Sequence, residues 1–274
     1  MNAQRLSSRV KSVLLYLLLL AFLTPFLLIV MNSFKTTQQF FENPLSLPAT
    51  IKFDNYASAF KDMDFLQGFV NSLIITAIAV FIIIIFSAMT GYLFVRYKWK
   101  LNAFLFFLML ASMALPFQVL MIPLVMLYGN MDLLNNKMTL LFMYLGFGVP
   151  FGVFTFHGFI KGIPYELEES AFIEGSSRLR TFFSVVLPLL KPVFVTLLVL
   201  DVLWIWNDYL LPSLVLLSSD QKTLPLSTYA FFSSYSVDYA PLMAGLIMTI
   251  IPVLVIYLFL QKQIIQGITE GALK

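Results

Sequence analysis

Cysteine is absent from this chain, and histidine occurs once, as His157. Without cysteine there are no disulfides and no thiolate chemistry. A single histidine excludes a multi-histidine metal site, and no metal ligand set is expected. No GxxxxGK[ST] phosphate loop occurs, so the chain is not expected to bind a nucleotide by that route. Charge is also scarce. Charged residues make up 11% of the 274 residues, against about 25% in soluble domains. What fills the chain is apolar: 60% of residues are hydrophobic and 29 are phenylalanine. That balance excludes an ordinary soluble fold and places the chain among membrane proteins.

A helix needs about 20 mostly apolar residues to cross a bilayer. Six segments qualify, near 13–30, 70–95, 103–128, 138–160, 193–217 and 242–260. They are apolar all round, as lipid-embedded helices are. The fold predicted is an all-α integral membrane protein with six transmembrane helices in one transmembrane domain spanning 1–274. Arg5, Arg9 and Lys11 precede the first span. Its apolar run is long and no small-residue cleavage site follows, so it reads as an uncleaved helix.

Lysine and arginine set the orientation. With the N-terminus inside, the inner segments carry Arg5, Arg9, Lys11, Arg96, Lys98, Lys100, Lys161, Arg178, Arg180, Lys191, Lys262 and Lys274. The outer segments carry only Lys35, Lys52, Lys61, Lys137 and Lys222. The positive-inside rule then predicts cytoplasmic N- and C-termini. Tyr97 and Trp99, interleaved with Arg96, Lys98 and Lys100, fit an interfacial anchor, and no nucleic-acid partner is expected. The longest outer segment, about 32–68, contains Pro44 and Pro48 and a helical patch near 54–64.

The segment 161–191, between the fourth and fifth spans, is different in kind. From Pro164 to Pro188 it carries four glutamates and two arginines. Pro164 suits a first helical turn, and Glu166, Glu168 and Glu169 follow where the helix dipole favours negative charge. Gly175 reads as a left-handed C-cap and Ser176 as the N-cap of a second helix. Leu179, Phe182, Phe183 and Val186 fall on one helical face, and Pro188 is expected to end the element. The physics allows two readings: an amphipathic connector, or a helix–turn–helix that docks a soluble partner.

A resemblance adds weight to the second. Glu169-Ser170-Ala171, three residues, Gly175, nine residues, Val185, one residue, then Leu187-Pro188 resembles the EAA signature of ABC importer permeases. Ser170 replaces an alanine and Val185 an isoleucine, and Glu174 stands where sugar permeases usually have aspartate. Asn71-Ser72, the stretch from Pro116-Phe117-Gln118 to Ile122-Pro123, Trp206-Asn207-Asp208-Tyr209-Leu210-Leu211-Pro212 and the tail from Gln266 to Lys274 extend the likeness over nearly the whole chain. It is similar to the carbohydrate-uptake permeases of the maltose type, on the side of the smaller six-span subunit. The resemblance implies a second homologous permease subunit, two ATPase subunits that bind ATP and Mg, an extracellular solute-binding protein and a carbohydrate cargo, most naturally an oligosaccharide. It also implies a multi-pass protein of the bacterial plasma membrane, not an enzyme. Glu169, Ser170, Ala171, Gly175, Leu187 and Pro188 are then the expected ATPase-coupling residues, and the C-terminal tail is expected to reach the ATPase dimer.

Carboxylates are costly in lipid, by roughly 2.5–3.5 kcal/mol at a span's centre. Asp201, Trp204, Asp208 and Leu211 share a helical face, and Asn207 adjoins it. Asp201, Trp204, Asn207 and Asp208 are the candidate substrate path, an aromatic beside polar groups that suits a sugar ring. Interhelical packing is the plainer reading of the same face. His157 is expected to pack, and Gly148 and Gly152 form a short GxxxG spacing. Two other function classes compete. An ion- or proton-coupled secondary transporter would use Asp201, and a membrane enzyme would need a catalytic constellation that the chain does not offer.

Overall fold

The computed structural model describes the backbone of residues 2–232 and 237–272, and side chains over 11–232, 237–259 and 261. Among the described residues there is no strand, only one isolated bridge between Phe232 and Val237. The helices are α1 (Asn2–Ser33), α2 (Thr37–Glu42), α3 (Asp54–Asp62), α4 (Phe65–Arg96), α5 (Lys100–Met113), α6 (Phe117–Asn130), α7 (Lys137–Ile160), α8 (Glu166–Ile173), α9 (Arg178–Thr181), α10 (Leu187–Leu189), α11 (Lys191–Trp206), α12 (Leu210–Val215), α13 (Leu224–Ser227) and α14 (Tyr239–Ala272). Leu273 and Lys274, the end of the tail matched above, lie outside the described residues.

Among the described residues, four helical stretches are long and apolar enough to cross a membrane: Lys11–Ser33, Phe65–Arg96, Lys137–Ile160 and Tyr239–Phe259. Two bent pairs bring the number of candidate spans to as many as six. The stretch predicted as one helix over 103–128 is broken instead into α5 and α6, bent by 103°. Pro116 accounts for the break: it offers no N–H and disfavours helical geometry at Leu115. Pro123 and Pro150 lie inside α6 and α7, so their helices continue through them. The predicted fifth span also divides, with α11 stopping at Trp206 and α12 resuming at Leu210.

The chain forms two compact units, 1–66 with 227–252, and 67–226 with 253–274. In the first, α1 exposes the successive residues Leu14, Leu15, Tyr16 and Leu17, which point to all sides of the helix, as a helix facing lipid does. The segment after it is tied down by polar contacts. Asn55 Nδ2 donates to the carbonyls of Ser33 and Lys35 at 2.7 Å each. The Lys35 side chain is buried, and its Nζ donates to the carbonyls of Asn43 and Pro44; burial lowers its pKa. The predicted helical patch near 54–64 is α3.

The second unit holds the main core. Ile83, Ile84, Leu140, Tyr144, Phe156, Ile160, Phe182, Val186 and Leu197 are buried together. Here the GxxxG pair of α7 has a definite role. A Cβ at Gly148 would meet Ile83 Cδ1 at 2.6 Å, and one at Gly152 would strike Ser87 Oγ. Glycine at these positions lets α4 and α7 approach closely, and Ser87 Oγ donates to the Val149 carbonyl at 3.3 Å.

At the other end of these helices, Asn71 forms a polar knot. Its Oδ1 accepts from Lys137 Nζ at 2.6 Å, and its Nδ2 donates to the carbonyls of Asp220 and Lys222 at 2.9 and 2.8 Å. Ser72 Oγ accepts the Leu224 N–H at 2.8 Å. The Asn71-Ser72 pair thus pins the start of α4 to α7 and to the segment 220–224.

Candidate functional site

The loop 161–191 folds as two short helices around a tight turn. Helix α8 begins at Glu166, with the Tyr165 carbonyl accepting from the N–H groups of Glu168 and Glu169. It ends in a Schellman motif: the Ser176 N–H bonds to the Ala171 carbonyl at 2.9 Å and the Gly175 N–H to the Phe172 carbonyl at 3.0 Å. That geometry needs a left-handed residue at the C′ position, and Gly175 supplies it with φ +85°. A Cβ there would touch nothing within 4 Å, so the requirement is conformational rather than one of space. The cap of α9 is Ser177, whose Oγ accepts from the Arg180 N–H at 3.4 Å. Ser176, expected as the cap, belongs instead to the Schellman turn.

Beyond α9 the backbone widens into a π-turn over Phe182–Val186 before α10. Thr181, Phe182, Val186 and Leu190 are buried, while Leu179 and Phe183 are exposed. The single apolar face predicted from a 3.6-residue period is therefore divided, because a π-turn carries more residues per turn and shifts the register. Pro188 does not end the element as expected. Its ring would crowd the carbonyl four residues back in a regular α-helix, and the wide turn relieves that crowding. The chain breaks two residues later, at Leu190, where the axis turns by 78° into α11.

The loop is anchored by a residue that sequence reasoning passed over. Glu168 is 0% exposed. Its Oε2 accepts from Tyr92 Oη at 2.6 Å and its Oε1 from Arg96 Nε at 2.7 Å. Arg96 also donates to the Ile163 carbonyl at 3.1 Å. Both partners lie on the last turns of α4, so α8 is bolted to a long apolar helix. On the other side, the Arg178 guanidinium sits over the Tyr97 ring at 5.2 Å and donates to its hydroxyl. The remaining carboxylates face outward. Glu169 is exposed, as are Ser170, Gly175 and Pro188, while Ala171 and Leu187 are half-buried. Ile173 is 87% exposed beside them. Ser170 Oγ donates to the Glu166 carbonyl of its own helix.

The candidate path residues separate into two groups. Asp201 and Trp204 line a cavity of about 380 Å³ with Phe147, Gly148, Phe151 and Leu200. Asp201 is 4% exposed, and its Oδ2 finds no hydrogen-bond partner. Trp204 is 40% exposed and meets Tyr144 edge-on at 5.6 Å. Asp208 falls beyond the end of α11. Its Oδ2 accepts from Tyr144 Oη at 2.9 Å and its Oδ1 accepts the N–H groups of Leu210 and Leu211. It caps α12, so the stripe from 201 to 211 is not one continuous helical face. Asn207 Nδ2 donates to the Leu203 carbonyl at 2.7 Å and otherwise lies exposed.

Residues 83–270 match the model of the family described as binding-protein-dependent transport system inner membrane component. The chain is 45% identical over 255 residues to the probable starch degradation products transport system permease protein AmyC of Thermoanaerobacterium thermosulfurigenes, covering 93% of each. It is 31% identical over 277 residues to the diacetylchitobiose uptake system permease protein NgcG of Streptomyces coelicolor, covering 100% of this chain and 91% of that one. Among solved structures, a chain of a bacterial ABC transporter involved in the import of the acidic polysaccharide alginate shares the fold. The TM-score is 0.81, with 23% identity over 96% of this chain and 98% of the other.

Proposed function

The chain belongs to the family of binding-protein-dependent transport system inner membrane components, and on that premise we propose how it carries out its part of transport. It is a membrane permease of a sugar ABC importer, a transport component rather than an enzyme. Its loop 161–191 is the docking point for a separate ATPase, and its helices form half of a path whose other half is a second homologous permease. The termini and the loop face the cytoplasm of a bacterial cell, and an extracellular solute-binding protein delivers the cargo, an oligosaccharide. The outer segment 224–239 is the surface offered to that binding protein; of it, residues 233–236 lie outside the described residues.

One observation carries this reading: α8 is fastened to α4 through Glu168 while its opposite side is left exposed. A helix pair that merely connected two spans would not need a buried carboxylate holding it to a neighbouring span. The arrangement suits a lever. The ATPase subunits bind ATP and Mg, close on one another, and push on Glu169, Ala171 and Ile173. Gly175 keeps the two short helices at a fixed angle, Glu168 passes the motion to α4, and the π-turn with Leu187-Pro188 passes it to α11. The result is a rigid-body switch between inward- and outward-facing states.

Asp201 and Trp204 are the candidate cargo contacts in this half. The cavity between α7 and α11 offers an aromatic face for a sugar ring and a carboxylate oxygen for its hydroxyls. Uptake of labelled oligosaccharide into proteoliposomes holding the complete transporter tests the proposal. ATP-dependent uptake that stops when Glu169→Lys releases the ATPase is the expected result. Uptake without ATP, driven by an ion gradient and abolished by Asp201→Asn, would instead favour a secondary transporter.

A further inference from the structure

A second site lies at the end of α4 and shares no lining residue with the cargo cavity. A groove of about 520 Å³ opens among the end of α4, the start of α5 and the end of α7. Lys98, Lys100 and Lys161 border it, all three exposed. No acidic residue lines it, and among the described residues none of the three lysines forms an ion pair. The groove is also structured. Asn102 is buried and its Nδ2 donates to the Tyr97 carbonyl at 2.7 Å, fixing the turn that carries Lys98. Phe106 stacks on His157 at 4.1 Å and forms the floor.

Two further features call for negative charge here. Helix α5, 14 residues long, starts at Lys100 without a side-chain cap, so its first-turn N–H groups present the positive end of the helix dipole. A lysine in that first turn opposes the dipole, and a bound anion relieves the conflict. Lys161 sits at the C-terminal end of α7, where it neutralises that helix's negative end and adds no repulsion to an anion.

The surroundings identify the kind of anion. Beside the groove residues Asn102, Ala103 and Phe106, α5 also carries Leu101, Phe104 and Phe107, each more than half exposed. Trp99, 63% exposed, stands at the groove's rim, as tryptophan does at the boundary between headgroups and acyl chains. A free phosphate would use only the lysines. A phospholipid would use the lysines for its phosphate and the phenylalanine face for its chains.

We propose that this groove binds the headgroup of an anionic phospholipid from the cytoplasmic leaflet. The placement in that leaflet rests on the orientation proposed above. Basic pockets between transmembrane helices on that side are suited to such headgroups. The bound lipid bridges α5 to α7 next to Tyr97, which also carries Arg178 of the coupling loop.

The test uses the assembled transporter in nanodiscs of phosphatidylcholine with an equimolar share of phosphatidylglycerol. The probe is a photoactivatable phosphatidylglycerol, and cross-linked peptides are read by mass spectrometry. Each lysine near an anionic surface strengthens attraction by about fivefold. The triple variant Lys98→Gln, Lys100→Gln, Lys161→Gln should lose at least roughly tenfold of the cross-linking to peptides spanning 97–106. The matching Lys→Arg triple should retain it. Equal labelling of wild type and the glutamine variant would overturn the proposal. So would labelling that millimolar inorganic phosphate removes, which would make the groove a site for free anions. Labelling that appears only after the ATPase is stripped away would also overturn it, since the lysines would then be a protein contact. Nanodiscs expose both faces, so none of these outcomes depends on orientation. Orientation is read separately: a lone cysteine at Ser176, introduced into this cysteine-free chain, should react with an impermeant maleimide only in inside-out vesicles.

Discussion

Glu168 and Asp201 are both buried carboxylates in the same unit, yet they are served very differently. Glu168 receives donors from Tyr92 and Arg96 on both oxygens, whereas the Oδ2 of Asp201 has no hydrogen-bond partner and adjoins a cavity. A buried polar group without hydrogen-bond partners is costly. Glu168 holds the loop 161–191 to α4, whereas Asp201 borders the cavity proposed above for cargo. Glu169, one residue from Glu168 on the same short helix, is exposed instead.

Glu168 should be the most sensitive of these positions. Replacing it with alanine leaves Arg96 without its carboxylate and should cost about 3–5 kcal/mol, seen as a lower unfolding temperature of the purified permease. Asp201→Leu, which removes a charge that lacks partners, should leave the unfolding temperature unchanged or raise it. Equal losses in the two variants would erase the distinction drawn here.

Gly175→Val should come next. A β-branched residue held at positive φ costs at least about 1–2 kcal/mol, and with open space around the Cβ the strain falls on the turn angle alone. ATP hydrolysis by the complex should persist while sugar uptake per ATP falls by about tenfold or more. Hydrolysis and uptake falling in step would show that Gly175 matters only for assembly.

Glu169→Lys should weaken retention of the ATPase on co-purification by about tenfold, the scale of a reversed charge at an interface, with no change in unfolding temperature. Undiminished co-purification would move the docking surface elsewhere. Asp201→Asn should act on cargo affinity alone. Losing one charge-assisted hydrogen bond to a sugar hydroxyl is worth about 1.5 kcal/mol or more, so the concentration for half-maximal uptake should rise by roughly tenfold with stability unaltered. A variant that transports normally would return Asp201 to the role of a packing residue.

Much of the coupling loop was legible because its signals are local. Gly175 announces a left-handed cap by being glycine at the end of a polar helix, and the Schellman bonds follow from that conformation. The glutamates at the start of α8 are likewise a matter of position along one helix. The anchor was not legible, because Tyr92 and Arg96 lie more than seventy residues from Glu168. Among three glutamates in sequence, nothing local tells which one turns inward. The π-turn escaped notice for a related reason: a search at 3.6 residues per turn assigns Leu179 and Phe183 to the same face as Phe182 and Val186. A continuous helix would place Asp208 on the stripe of Asp201 and Trp204, whereas α11 stops at Trp206 and Asp208 caps the next helix. In the opposite direction, the short Gly148–Gly152 spacing is weak in sequence and decisive in the fold, where Ile83 and Ser87 leave no room for a side chain.

The exposed side of α8 is proposed to meet a separate ATPase. The absence of native cysteine allows one direct measurement. A single cysteine in place of Glu169, paired with a bifunctional thiol–amine cross-linker in native membranes, should join this chain to the ATPase subunit, and the yield should change when a non-hydrolysable ATP analogue closes the ATPase dimer. No cross-link at Glu169→Cys in either state, together with a strong cross-link from a cysteine placed at Lys52 in the segment assigned to the outer face, would contradict it.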